Sequence, residues 1–255
     1  MTNLSESRRD IIKQFINEKG EVQFKELEQL SPDISAMTIR RDLAFLENEG
    51  TVLRTWGGAK AVKRTSTNIE SIFSLRITEN IHAKNIIAKK AMEFMETGRS
   101  IFIDSGTTTN CLAKIMPDLN FSILTTAPNI ALEIIRNANS SITLIGGQLS
   151  RSNLTTSGAN SINFLKNINI DIAFLAASGF SQKNGFTIGN FDECELKKAV
   201  IKKAGKTILL MDRSKIDRNM SYTFATLKHI DILICDVMPD EVFMINAEKH
   251  GVEVL

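Results

Sequence analysis

From residue 80 onward, short uninterrupted apolar runs alternate with longer segments of helical periodicity, and nothing else in the chain restricts its fold so strongly. The strand-like runs lie at 101–103, 122–125, 142–145, 172–176, 207–211 and 230–235. Helix-spaced segments lie at 82–96, 109–115, 129–137, 159–166, 192–204 and 241–250. A strand without polar alternation needs cover on both faces, and helical crossovers supply that cover while joining parallel neighbours. The expected fold class is α/β, a doubly wound and mostly parallel sheet. Because the chain has 255 residues, more than an average domain, a smaller unit can precede this one.

Ligands of open α/β sheets bind beyond the carboxyl ends of the strands. Those ends carry Asp104-Ser105-Gly106-Thr107-Thr108-Thr109, Thr125-Thr126, Gly146-Gly147, Ser178-Gly179, and Asp212 with Lys215 close behind. In the first loop a glycine lets backbone come close to a ligand, and threonine hydroxyls with the next helix's free N–H groups suit an anion such as phosphate. Asp104 would repel that phosphate, so its expected work is on sugar hydroxyls or on holding the loop. Lys215 offers a compact positive charge. The alternative is a strand-to-helix turn with ordinary caps.

The first sixty residues read as three helices and a hairpin. Ser5 or Ser7 can cap a helix with an apolar stripe of Ile11, Ile12, Phe15 and Ile16, stopped at Gly20; residues 25–30 form a second helix, and Ser31-Pro32-Asp33 is turn chemistry. A third helix starts at the N-cap Ser35 and stops at Gly50. Its Ile39, Leu43 and Leu46 form a buried stripe at helical spacing, with Met37, Arg41, Ala44 and Asn48 opposite and Thr38 and Arg40 on the shoulders. Residues 51–54, the turn Trp56-Gly57-Gly58 and residues 59–62 complete a winged helix-turn-helix, whose third helix enters the major groove while the wing reaches backbone or minor groove. Arginine suits both contacts. The plainer reading is a three-helix bundle with surface arginines. The candidate DNA-binding residues are Ser35, Met37, Thr38, Arg40, Arg41, Arg54, Trp56, Gly57, Gly58 and Lys60.

The runs T-I-R-R-D-L, L-E-N-E-G and L-R-T-W-G-G-A resemble the N-terminal signature of the DeoR family of bacterial transcriptional regulators. D-S-G-T-T-T, I-G-G, E-L-K at 195–197 and D-R-S-K at 212–215 are similar to that family's effector domain, so the resemblance spans nearly the whole chain. It implies a fold related to ribose-5-phosphate isomerase and glucosamine-6-phosphate deaminase, and a response to phosphorylated sugars. It points to Asp104, Ser105, Gly106, Thr107, Thr108, Gly146, Gly147, Glu195, Lys197 and Lys215 as effector-binding residues, to which Thr109 and Thr126 are added from the same loops. Four departures stand out: a turn one residue longer before Ile34, Trp56 in place of a frequent histidine, Thr126 in place of the usual asparagine, and Asn190 near a usual aspartate.

The expected organisation is a DNA-binding domain over 1–62, a linker over 63–80 with a short helix at 69–75 and a boundary near Ser66-Thr67-Asn68, and an effector domain over 81–255. Net charge is only +2, so the nucleic-acid signal is local, in Arg54, Lys60, Lys63 and Arg64, which have no acid among them. Cys111, Cys194 and Cys235 are isolated, which suggests reduced thiols rather than zinc ligands or a disulfide framework. No metal or cofactor is expected. No apolar run approaches the ~18 residues that span a bilayer, and MTNLSESRRD lacks the apolar stretch of a signal peptide, so the expected location is cytoplasmic and no membrane partner is expected. The expected protein is a repressor of a sugar-catabolism operon, a homodimer or homotetramer that binds double-stranded operator DNA and is modulated by a phosphorylated sugar. The rival is a sugar-phosphate isomerase or deaminase with a DNA-binding appendage. Such chemistry needs a poised acid or base, and no histidine lies at a strand end: His82 opens a helix, His229 precedes a strand and His250 sits near the C-terminus.

Overall fold

The structure is a computed structural model that describes residues 2–32, 34–48, 51–61, 73–137 and 140–255. Asp33, Gly50, Val62, Lys63, Arg64, the Ser66-Thr67-Asn68 boundary and the side chain of Asn48 lie outside the described residues. The chain divides into two compact units, Met1–Ser66 and Thr67–Leu255.

In the first unit the order is α1 (Thr2–Lys19), β1 (Glu21–Gln23), α2 (Phe24–Leu30), α3 (Ala36–Asn48), β2 (Val52–Thr55) and β3 (Gly58–Ala61). Helix α1 begins ahead of Ser5 and Ser7, because extending an existing helix adds one hydrogen bond per residue and outweighs an internal serine's weak capping preference. Its buried stripe is narrower than the periodicity suggests, with Ile12 and Ile16 fully inside and Ile11 exposed. These two pack with Leu27, Ile39, Leu43, Leu46, Val52 and Ala59. Each fully buried Ile or Leu contributes about 1.5–3 kcal/mol, so the α3 stripe alone holds the helix to the unit. The hairpin β2–β3 gains a third strand, β1, in the order β1-β3-β2. Three residues are too few to display a period, which is why β1 is invisible in the sequence.

The second unit starts with α4 (Phe73–Arg76) and α5 (Ile81–Ala91), so residues read as linker are folded from Phe73 onward. There follow β4 (Ser100–Ile103), α6 (Thr107–Lys114), β5 (Ser122–Thr125), α7 (Pro128–Asn137), β6 (Ser141–Leu144), β7 (Gln148–Ser150), β8 (Thr155–Ser157), α8 (Ala159–Leu165) and β9 (Ile170–Ala176). The rest is β10 (Gly179–Ser181), β11 (Gly185–Ile188), α9 (Phe191–Lys203), β12 (Ala204–Leu210), β13 (Tyr222–Ala225), β14 (Ile232–Ile234), α10 (Glu241–Lys249) and β15 (Glu253–Val254). The main sheet has seven strands in the order β15-β14-β12-β9-β4-β5-β6, and all its pairs are parallel. Two apolar cores cover its faces, one around Phe102, Leu175 and Phe186 and the other around Ile101, Phe174 and Leu210.

Chain order runs outward from β4 through β5 to β6 on one side, and from β9 through β12 to β15 on the other. The reversal between β4 and β9 is the switch point where such sheets leave a crevice. Two antiparallel additions were not expected: the hairpin β7–β8 and the small sheet β10-β11-β13. Their strands are short, and β7 and β8 are mostly polar, so neither shows the apolar run that marks the main sheet. Among the described residues no helix is long and apolar enough to cross a membrane.

Candidate functional site

In the first unit, Ser35 caps α3: its Oγ accepts from the Thr38 N–H at 3.3 Å and lies 3.0 Å from the Thr38 hydroxyl. Met37, Arg40 and Arg41 are exposed along the outer face of α3, and Trp56 is fully exposed at the β2–β3 turn. Arg40 lies 5.2 Å over the Phe24 ring, which steadies it against α2. Arg54 is held more firmly. Its backbone N–H and Nε donate to the two oxygens of Glu47 at 3.0 and 2.6 Å, which keeps that carboxyl below the usual carboxylate range and ties the wing to the end of α3. Lys60 pairs with Glu21 at 3.2 Å on the open surface. Gly58 is required by close approach, because a Cβ there would sit 1.9 Å from the Val22 carbonyl oxygen, and the neighbouring Gly57 carbonyl accepts from the Phe24 N–H at 2.7 Å.

The residue that sequence reasoning missed here is Asp42. It is buried, and it accepts from Arg8 at 2.6 and 3.1 Å and from Arg9 at 2.9 Å, while the Arg9 guanidinium stacks 3.8 Å over Phe45. Burial pushes the Asp42 carboxyl up, but the two arginines outweigh that and hold it below its ordinary value. A signal was present: Asp42 falls inside the stripe spacing of Ile39, Leu43 and Leu46, and a carboxylate on a buried face needs cationic partners.

In the second unit a cleft opens at the switch point. It is lined by Ser105 to Thr108, by Ala176 to Ser178 after β9, by Asp212, Lys215 and Arg218 after β12, by Glu193 and Lys197 of α9, by Asn153 of the β7–β8 turn and by Arg76 of α4. Asp104 sits at its floor, buried. Lys197, also buried, donates to Asp104 Oδ2 and to the Ala176 carbonyl at 2.9 Å, and the Ala176 N–H donates to the same carboxylate oxygen at 2.9 Å. Of the two roles expected for Asp104 and the ligand role implied for Lys197, the geometry favours a strut that locks β4, β9 and α9 together. The Thr109 hydroxyl donates to the Asp104 and Gly106 carbonyls, closing the loop beneath α6 and staying out of the cleft. A Cβ on Gly106 would lie 2.6 Å from the Ala176 side chain, so the end of β9, rather than any ligand, requires glycine there.

Four other expected residues are not brought to the cleft. Thr126 is buried against Thr155 and Thr156, while Gly146 and Gly147 pack on Ser161 under the hairpin. Glu195 points elsewhere and pairs with Lys198 at 2.8 Å. Residues two apart on a helix lie about 200° apart, so Glu195 cannot share the face of Lys197, whereas Glu193, four residues before Lys197, does. Glu193 is the acid that enters the cleft, and it accepts from Asn153 Nδ2 at 2.8 Å. Helix periodicity could have found it. Arg76, Asn153 and Arg218 carried no comparable signal, being single polar residues in short or irregular segments.

The cleft gathers cations. Burial pushes the Lys215 ammonium below the ordinary lysine range, Arg218 and Arg76 add to that push, and Asp212 and Glu79 oppose it. Lys84 is brought down to about 8, first by burial and then by Lys215. Helix α6 begins on the cleft wall at Thr107 with no side chain capping it, so its first N–H groups are left without a side-chain acceptor. Asp212 supplies the opposite chemistry. Its Oδ1 accepts from Asn80 and Ser214, while Oδ2 is buried without a hydrogen-bond partner among the described residues. No group of three metal-ligating side chains occurs among the described residues.

Residues 8–65 match the DeoR-like helix-turn-helix domain and residues 79–237 match the DeoR C terminal sensor domain. The chain is 34% identical over 234 residues, 91% of each protein, to the HTH-type transcriptional regulator GlpR of Haloferax volcanii. It is 30% identical over 222 residues to the HTH-type transcriptional repressor GlcR of Bacillus subtilis, covering 87% of this chain and 85% of that one. Among solved structures, ribose 5-phosphate isomerase A of Methanocaldococcus jannaschii aligns at 17% identity and a TM-score of 0.41 over 55% of this chain and 56% of that one.

Proposed function

The chain belongs to the DeoR family of transcriptional regulators, and from that premise we propose that it represses a sugar-catabolism operon and that a phosphorylated sugar in the cleft changes its hold on operator DNA. Helix α3 lies in the major groove with Arg41 as the base-reading contact and Met37 beside it. Arg40 and Lys60 serve the backbone, Trp56 meets the flanking groove, and Arg54 holds the wing in position through Glu47. Ser35 and Thr38 fix the start of the helix that presents these groups.

The observation that carries the effector reading is the pairing, in one cleft, of Lys215 among other cations with a buried carboxylate oxygen that lacks a donor. A bare anion satisfies only the cations. A sugar phosphate brings an anion for Lys215, Ser105 to Thr108 and the α6 terminus, and hydroxyl donors for Asp212 and Glu193. Turnover is the less favoured reading, because Asp104, the obvious base at a strand end, is engaged by Lys197 and the Ala176 N–H. The protein works in the cytoplasm, where the operator is, and a dimer or tetramer sets two α3 helices on paired half-sites.

The test is a thermal-shift screen of the full chain against phosphorylated sugars, followed by a gel shift on its own upstream DNA with each stabilising compound. A compound that stabilises the protein and changes the gel shift, without being converted to product, is the expected result. Conversion of that compound by the purified chain would replace this reading with the enzymatic one.

A further inference from the structure

Helix α4 is the first described element after β3 of the wing, yet it belongs to the wall of the cleft. Two contacts fasten it to the β7–β8 turn: the Phe73 N–H donates to the Ser152 carbonyl at 2.7 Å, and an Arg76 terminal nitrogen donates to Asn153 Oδ1 at 3.0 Å. Asn153 in turn donates to Glu193 at 2.8 Å, so Arg76, Asn153 and Glu193 form one chain of hydrogen bonds across the cleft. On its other side α4 is fastened by Lys84, whose ammonium donates to the Arg76 carbonyl and, at 2.6 Å, to that of Glu79. Asn80, just beyond, donates to Asp212 at 3.2 Å and to Ser214 at 3.0 Å.

Arg76 therefore stands in two networks. Its backbone carbonyl is pinned by Lys84, and its guanidinium faces the same space as Lys215 and Arg218, near enough that both arginines disfavour the charge on Lys215. An anion would relieve that mutual repulsion, and of the groups present a guanidinium offers the planar two-pronged match to phosphate. A neutral amide such as Asn153 is the weaker acceptor.

We infer that Arg76 is the anion-sensing residue of the cleft: with Lys215 and Arg218 it takes the ligand's phosphate, and it gives up Asn153 to do so. The inference rests on the reading of the cleft as an effector site. Its consequence is directional. Releasing Asn153 loosens α4 from the hairpin, and α4 leads back along the chain to the wing. The phosphate end of the ligand is thus reported to the DNA-binding unit by the chain segment that joins them.

The experiment uses the full chain with inorganic phosphate as probe, chloride at equal ionic strength as reference, isothermal titration calorimetry for affinity and operator anisotropy for response. Wild type and Glu195→Gln, which lies outside the cleft, are expected to bind phosphate alike and to show a phosphate-dependent change in operator affinity. Arg76→Gln is expected to bind phosphate about tenfold or more weakly, the size of a lost charge-assisted contact, and to lose the operator response, its phosphate-free operator affinity already lying at the value that phosphate gives wild type, because the contact to Asn153 is gone. Arg76→Lys, which keeps the charge without the fork, is expected to fall between. Phosphate binding by Arg76→Gln at wild-type affinity, with Lys215→Gln impaired, would overturn the inference while leaving the cleft reading standing. Wild type that binds phosphate without any operator response would overturn the sensing role. No phosphate binding by wild type would overturn the cleft reading and the inference together.

Discussion

Both units gather cations around a buried carboxylate, but they point the result in opposite directions. In the first unit Arg8 and Arg9 converge on Asp42 and Arg54 converges on Glu47, all within part-exposed clusters, and Arg40 and Arg41 of α3 face outward. In the second unit Asp104 and Lys197 are sealed from solvent at the floor of a cleft, and Arg76, Lys215 and Arg218 face inward above them. Outward cations suit a large polyanion that comes to the surface; inward cations suit an anion small enough to enter. On the proposed reading the same residue types serve two ligands, and burial decides which.

That comparison is tested most severely at the two carboxylates. Removing one partner of a sealed ion pair leaves an uncompensated buried charge, so Lys197→Ala or Asp104→Ala should cost about 3–5 kcal/mol of stability, measured by urea unfolding of the full chain with probes in the second unit. Asp42→Asn should cost less, about 1–3 kcal/mol, because Arg8 and Arg9 can turn to water. Equal penalties would show that the difference in burial has no energetic meaning. The Asp42 contribution should also depend on pH in one direction. A carboxyl held below its ordinary value contributes fully above the unfolded pKa of ~3.9 and loses that contribution as pH falls through the folded value. The gap between wild type and Asp42→Asn in urea midpoint should accordingly be full at neutral pH and close in acid.

Smaller effects are expected on the proposed DNA face. Arg41→Ala should reduce operator discrimination by about 1–3 kcal/mol if it contacts a base edge bidentately, read as the ratio of specific to non-specific affinity at fixed salt. Arg54→Gln should remove an exposed ion pair at about 0.2–1 kcal/mol of stability, measured by urea unfolding. A larger loss of operator affinity for Arg54→Gln than for Arg41→Ala would reassign direct contact to the wing.

The parallel sheet and helix α3 were readable in the sequence because each announces itself over a contiguous stretch: uniformly apolar runs in one case, the Ile39, Leu43 and Leu46 spacing in the other. The cleft was only half readable. Strand ends pointed to Asp104 through Thr108 and to Lys215, since sheet topology brings such loops together whatever their sequence. Arg76, Asn153 and Glu193 come from a four-residue helix, a turn in a polar hairpin and the face of α9 opposite Glu195, and only the tertiary arrangement makes them neighbours. The E-L-K run favoured Glu195 by its closeness in sequence to Lys197, whereas helix geometry puts those two side chains on different faces. Gly106 was tied to a ligand when its first obligation is to Ala176.

The central claim is that outward and inward cations answer to different ligands and that the second controls the first. It is tested most directly by fluorescence anisotropy of labelled upstream DNA, titrated with wild type, Arg41→Ala and Lys215→Gln in the presence and absence of the sugar phosphate that most stabilises wild type. The predicted result is that Arg41→Ala loses operator affinity but is still stabilised by the ligand, while Lys215→Gln binds operator like wild type and no longer responds to the ligand. Response of Lys215→Gln at the ligand concentration that suffices for wild type, with Arg41→Ala binding operator unimpaired, would contradict the account.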